Sequence, residues 1–167
     1  VAGAFPNEAT AFAREAGLQG TLFNPDGWGG YIAYRLKNQK VYADGRWPLV
    51  GKQVIADGIE VMLRRRDITP LLNQYQIDWA VFRAAEYFRV PGPDPRRWML
   101  AWRDDTSVVL LRKTPEFAAN LARVCRFYER FDVKKRANWA FEVTSRSKVR
   151  SPTGVPSALA LCPKTAP

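Results

Sequence analysis

Asp26-Gly27-Trp28-Gly29-Gly30-Tyr31 and Asp44-Gly45-Arg46-Trp47 each bring a carboxylate, glycine and an aromatic ring together within a few residues. Their spacing suits ligand binding more than bond breaking. If Gly29 and Gly30 open a helix, their backbone amides lie where unpaired N–H groups and the helix dipole favour phosphate or carboxylate. Arg46 can add a charge-assisted bond, and Trp28 or Trp47 a face for a sugar ring. The candidate substrate-binding set is therefore Asp26, Trp28, Gly29, Gly30, Tyr31, Asp44, Arg46 and Trp47. The same residue types also have plainer roles. Asp26 is a candidate helix N-cap, Asp44 a turn-former after a strand, and Trp28 and Tyr31 are candidate buried anchors pinning a helix to a sheet.

Catalysis within the chain has few routes. Histidine is absent, which removes Ser-His-Asp triads, Cys-His dyads and His-ligated metal sites together. Chemistry within the chain would have to come from carboxylates, with Asp57, Asp78, Asp104 and Asp105 as candidates beside Asp26 and Asp44, and Asp104-Asp105 is most simply explained by turn preference. No metal or cofactor is called for. Cys125 lies on an apolar helical face, as a buried inert thiol would. A bridge to Cys162, the other cysteine, would instead suit an extracytoplasmic compartment.

The elements that must position the candidate site read as alternating α and β. An apolar strand over 21–23 leads through Asn24-Pro25-Asp26-Gly27 into an amphipathic helix carrying Trp28, Tyr31, Ile32 and Leu36, and a second strand over 40–43 stops at Asp44-Gly45. This is a βαβ pattern, whose ligand sites lie beyond the carboxyl ends of the strands. A helix over 8–16 with Asn7 as cap and Gly17 as stop precedes it. Helical spacing recurs over 52–66 and 71–75, a buried strand over 78–82, a hairpin over 98–102 and 107–111, and a long helix from 114 to 131. We therefore expect a three-layer α/β fold over 1–131, with a mostly parallel sheet, helices on both faces and a C-terminal antiparallel hairpin. Over 134–167 seven basic residues face one acid, Glu142, so 132–167 is expected to be a flexible or partly docked basic tail.

Taken in order, Gly-Leu-Gln-Gly-Thr-Leu-Phe-Asn, Asp-Gly-Trp-Gly-Gly-Tyr, Val-Tyr-Ala-Asp-Gly-Arg, Tyr75-Gln76-Ile77-Asp78-Trp79-Ala80-Val81 and Trp102-Arg103-Asp104-Asp105 resemble the soluble C-terminal domain of bacterial multi-spanning membrane proteins of the GT-C type. Those proteins are similar to dolichyl-phosphate-mannose mannosyltransferases and aminoarabinose transferases. A more distant similarity is to the oligosaccharyltransferase catalytic subunit. Its Trp-Trp-Asp-Tyr-Gly motif would fall on residues 26–31, where the first tryptophan is missing, so peptide-acceptor recognition does not carry over. The resemblance implies an extracytoplasmic, periplasmic domain tethered to the bacterial inner membrane through spans preceding Val1, with the catalytic acid in a loop between membrane helices and none in this chain.

A formal net charge of +10 calls for an anionic partner. Beside a membrane, that partner is anionic lipid headgroups or a lipid-linked phosphate sugar, each basic side chain near the surface contributing about 1 kcal/mol. Against nucleic acid stands the absence of any Cys/His finger, RNP-type strand or basic zipper. Against a stand-alone nucleotide-binding enzyme stands Asp26-Gly27-Trp28-Gly29-Gly30, which is not Gly-x-Gly-x-x-Gly. The expected function is an accessory domain that holds a lipid-linked sugar donor against the transmembrane region of the same parent chain and is inactive alone.

Overall fold

The computed structural model describes residues 5–45, 53, 56–57, 59, 67–87, 93–114, 118–130 and 162. The elements in chain order are α1 (Asn7–Ala16), β1 (Leu22–Phe23), a single 3-10 turn (Asp26–Trp28), α2 (Gly29–Arg35), α3 (Thr69–Gln74), β2 (Trp79–Arg83), α4 (Ala84–Tyr87), β3 (Trp98–Arg103), β4 (Ser107–Arg112) and α5 (Ala118–Glu129). Among the described residues, no helix is long and apolar enough to cross a membrane.

The strands form one open mixed sheet in the order β1-β2-β4-β3. β1 runs parallel to β2, pairing Leu22 with Trp79 and Phe23 with Ala80. The other two pairings are antiparallel, β2 with β4 and β3 with β4. The sheet is thus mixed rather than mostly parallel. The reason lies in the connections: the Asp104 turn is too short for a crossover and forces a hairpin, and β4 then lies between β3 and β2. The strand expected over 40–43 reduces to one parallel bridge, Leu22 to Val41, on the outer edge of β1.

Alternation along the strands divides the core in two, because successive side chains point to opposite faces. Leu22, Trp79, Val81, Met99, Val109 and Leu111 join one cluster with Ala9, Phe12, Ala13 and Ala16 of α1, Ile32 of α2, and Val124, Phe127 and Tyr128 of α5. Phe23, Ala80, Phe82, Trp98, Val108 and Leu110 join the other, with Leu71 and Leu72 of α3 and Ala84 of α4. The α1 residues recur at i, i+3, i+4 and i+7, a single helical stripe. At its end Gly17 takes a left-handed conformation (φ 72°), and the Leu18 N–H bonds back to the Ala13 carbonyl at 2.9 Å, closing the helix. Asn7 does not cap the helix start through its side chain.

One irregularity has a clear use. The β3 to β4 register slips between Leu100 and Trp102, so Ala101 is an extra residue in the ladder. Its carbonyl accepts a 2.6 Å hydrogen bond from the buried Tyr128 hydroxyl, which locks α5 onto the sheet. Burial pushes the Tyr128 phenol upward.

The helix expected over 52–66 is described only at 53, 56–57 and 59, all helical. Residues expected to form the tail lie outside the described residues except Cys162. That cysteine is bridged to Cys125, with Cα atoms 5.3 Å apart, so Cys125 is buried but is not a free thiol.

Candidate functional site at the carboxyl end of the parallel strands

Because β1 and β2 are parallel neighbours, both deliver the chain to the same edge. There the segment after β1 and the segment after Val41 meet, and Asn24 joins them. Asn24 is 1% exposed. Its side-chain nitrogen donates to the Ala43 carbonyl at 2.6 Å and to the Pro25 carbonyl at 2.9 Å, and its oxygen accepts the Tyr42 N–H at 2.9 Å. One carboxamide therefore supplies the ladder bonds that a longer edge strand would have made. In the run Asn24-Pro25-Asp26-Gly27, asparagine suits a turn, and here it does more than turn the chain. Its sequence signal was a polar amide at the end of an apolar strand, where a buried position demands full hydrogen bonding.

Asp26 does not cap a helix. The 3-10 turn intervenes, with Trp28 N–H bonded to the Pro25 carbonyl at 3.0 Å, and neither it nor α2 receives a side-chain cap. The carboxylate instead reaches across to accept the Gly45 N–H at 2.9 Å, fastening one loop to the other. Gly45 has φ 78°, a conformation that favours glycine, and this aims its amide at Asp26. Asp44 is half-buried beside this clasp and is itself engaged.

The two glycines of α2 separate sharply. A Cβ on Gly29 would lie 1.6 Å from the Ala43 carbonyl oxygen and 2.5 Å from the Asp44 Cα, so Gly29 is the contact that lets α2 close on the second segment. A Cβ on Gly30 would meet only the Asp44 carbonyl oxygen, at 3.9 Å. Gly29 is buried and Gly30 is exposed.

The aromatic residues take the anchoring role. Trp28 is 2% exposed, within the core cluster, and presents no ring face to solvent. Tyr31 stacks on Phe5 with ring centroids 4.7 Å apart and donates its hydroxyl proton to the Asn7 side-chain oxygen, tying α2 to the start of α1. Arg46 and Trp47 lie outside the described residues. The structure thus brings together Asp26, Gly29, Gly30 and Asp44, and turns Trp28 inward.

A cation absent from the sequence-derived set stands at this edge. Arg83, the last residue of β2, holds its guanidinium 5.3 Å from the Trp28 ring centroid and 3.3 Å from the Glu86 carboxylate. Its Nε is buried without a hydrogen-bond partner among the described residues. The signal in the sequence was an arginine closing an apolar strand, at the edge where a parallel sheet places its ligands. The resulting surface offers Asp26, Asp44, Arg83 and Glu86 on fixed backbone, a polar seam suited to orienting hydroxyl-rich or charged groups.

The other carboxylates are spent on structure. Asp104 accepts the Thr106 and Ser107 N–H groups, each at 2.7 Å, with the Ser107 hydroxyl at 2.8 Å and the Trp102 indole N–H at 2.9 Å. Asp57 accepts the Tyr75 hydroxyl at 3.0 Å and the Gln53 amide at 2.6 Å. Asp78 accepts the Thr21 N–H at the opposite end of the strands. Burial pushes its carboxyl up, while that bond and the Arg112 charge pull it back down by less. Among the described residues no acids, cysteines or histidines cluster as metal ligands. No protein-family model, curated protein or solved structure matches this chain.

Proposed function

We propose that the chain is the extracytoplasmic accessory domain of a membrane-embedded, GT-C-like glycosyltransferase, holding a lipid-linked sugar donor for a catalytic acid that lies elsewhere in the parent protein. The observation that carries this reading is the Asp26 to Gly45 clasp. It joins the two motif segments of the family resemblance at the carboxyl end of the parallel strand pair. Asp26, Asp44 and Arg83 would orient the sugar, with Arg46 beside them in sequence. The fold is a three-layer one in this reading, its two helical layers being those that fill the two core clusters. The Cys125 to Cys162 bridge supports an oxidising compartment such as the periplasm.

The test is made on the full-length parent expressed in bacteria, with thiols trapped by acid before lysis. The reading expects the chain in the membrane fraction, its two cysteines protected from alkylation until reduced, and sugar transfer from a lipid-linked donor that falls on Asp44→Asn or Arg83→Gln. Recovery of a soluble chain with both thiols free would overturn it.

A further inference from the structure

A second feature lies at the other end of β1. The end of α1, the loop that follows it and the segment after α2 enclose an open cleft of about 850 Å³. Arg14, Arg35, Lys37 and Lys40 line it, and no acidic residue does. Arg14, Lys37 and Lys40 have no carboxylate partner among the described residues, and the Arg35 Nε is buried without a hydrogen-bond partner among them.

The cleft is held open by its backbone. Gln39 donates from its side-chain amide to the Gly20 and Lys40 carbonyls, each at 2.8 Å, bracing one wall against the other. Gly20 (φ 99°) and Asn38 (φ 71°) hold left-handed conformations that turn the chain around the opening. Behind it, the Asn120 side chain grips the Gln19 backbone through both its amide and its carbonyl, at 3.1 and 2.7 Å. The cations are thus presented on a preorganised frame.

A plainer role for Arg14 and Arg35 is to complement the negative ends of α1 and α2, in whose last turns they lie. Magnitudes decide against that as the whole account. Two helix ends carry about half a charge each, against four full cations, and Lys37 and Lys40 lie beyond α2. Arg35 also stands 5.9 Å from the Tyr31 ring centroid, and the Asp78 carboxylate accepts the Thr21 N–H beside Gly20, which leaves the charges of Arg14, Lys37 and Lys40 without a carboxylate partner among the described residues.

We infer that this cleft is a binding site for a multiply charged phosphate, either a phosphomonoester headgroup in a membrane or a free phosphate or pyrophosphate ester. Two arginines supply planar donor forks and two lysines point charges, the pairing that suits phosphate oxygens. The volume leaves room for a polar group attached to the phosphate. The inference stands on the cleft alone and goes beyond the proposed function, whose failure would leave the pyrophosphate arm of the test intact.

The experiment titrates the whole chain with inorganic pyrophosphate by calorimetry. Alongside it, the chain is co-sedimented with phosphatidylcholine vesicles with and without phosphatidic acid. The variant Arg14→Gln/Lys37→Gln/Lys40→Gln is compared with Arg97→Gln/Arg126→Gln/Arg130→Gln, which removes equal charge from exposed positions outside the cleft. The cleft variant should bind pyrophosphate or phosphatidic-acid vesicles at least about tenfold more weakly, and the control should stay within about twofold. Loss confined to vesicles assigns a lipid-borne phosphate, and loss confined to pyrophosphate a free one. Independently of any variant, pyrophosphate or phosphatidic-acid vesicles should shift the amide resonances of 17–21 and 36–40 in the unaltered chain. Equal weakening of both variants, or no saturable binding to either probe, would overturn the proposal.

Discussion

Gly29 and Gly30 are adjacent, open the same helix and were interchangeable as candidate ligand-binding amides, yet the geometry gives their alanine substitutions opposite signs. In Gly29→Ala the new Cβ starts 1.6 Å from a backbone oxygen and must reach at least 3.0 Å, so α2 or the 43–44 segment moves by about 1.4 Å. Overpacking of this kind costs about 1–3 kcal/mol. The shift also strains three hydrogen bonds that cross the seam, Asn24 to Ala43, Tyr42 to Asn24 and Gly45 to Asp26, each worth about 1 kcal/mol. With partial loss of these the total is about 3–5 kcal/mol. For a chain of this size that lowers Tm by roughly 6–20 °C. In Gly30→Ala nothing lies nearer than 3.9 Å and the residue is helical, so the gain is about 0.5–1 kcal/mol of unfolded-state entropy and helix propensity. Thermal unfolding followed by circular dichroism, with both variants in one buffer, reads the difference directly. A double variant of Gly29→Ala with Asn24→Ala should lose less than the sum of the two, because both break the same seam. If Gly29→Ala melts within about 2 °C of the parent, or Gly30→Ala loses as much as Gly29→Ala, the close approach of α2 to the Ala43–Asp44 backbone is wrong.

Other expectations follow from single features. Reduction of the Cys125 to Cys162 bridge, which spans 37 positions, should lower stability by about 3–4 kcal/mol in urea melts, and an unchanged midpoint would contradict a bridge formed in solution. Trypsin cleavage beyond Ser145 should leave a peptide bearing Cys162 attached until dithiothreitol is added, which non-reducing mass spectrometry would show. Asp78 has a folded-state carboxyl raised by burial, so it contributes stability below the ordinary aspartate range that is lost as pH rises through its folded value. Asp78→Asn, which keeps an oxygen for the Thr21 N–H, should flatten that slope above the ordinary aspartate range. Tyr128 and Tyr42 are likewise raised by burial, so stability should fall above about pH 10, and Tyr128→Phe should reduce the fall while losing the bond to Ala101.

What could be read from the sequence followed the strength of local periodicity. The hairpin was legible because Trp98 to Arg112 alternates and carries Asp104 at its turn, and α1 because Ala9, Phe12, Ala13 and Ala16 repeat at helical spacing. Sheet order was not legible. Whether β2 pairs with β1 on one side and β4 on the other is decided by contacts far apart in sequence, and a run such as Trp79 to Phe82, apolar on both faces, fits either direction. Cysteine pairing failed for a related reason, since no local signal sets the distance between Cys125 and Cys162.

The site shows the same division at finer scale. The motif placed Asp26, Gly29 and Asp44 at one edge because strand, turn and helix signals are local. It misassigned what they do because their partners are not. Asp26 looked like a cap for the residues that follow it, yet its partner is the Gly45 amide. Gly29 looked like an open amide for a ligand, yet its missing side chain makes room for Ala43. Asn24 looked like a turn residue, yet it is the buried tie between two segments, and Arg83 lay just past the strand expected over 78–82, yet it stands over Trp28. In each case the partner lies at least 14 positions away. Substitution at Asn24, Asp26 or Gly29 therefore mixes loss of scaffold with any loss of binding. Arg83→Gln is the cleaner probe of ligand contact at this edge, since its contacts with Trp28 and Glu86 lie outside the seam through Asn24, Asp26 and Gly29.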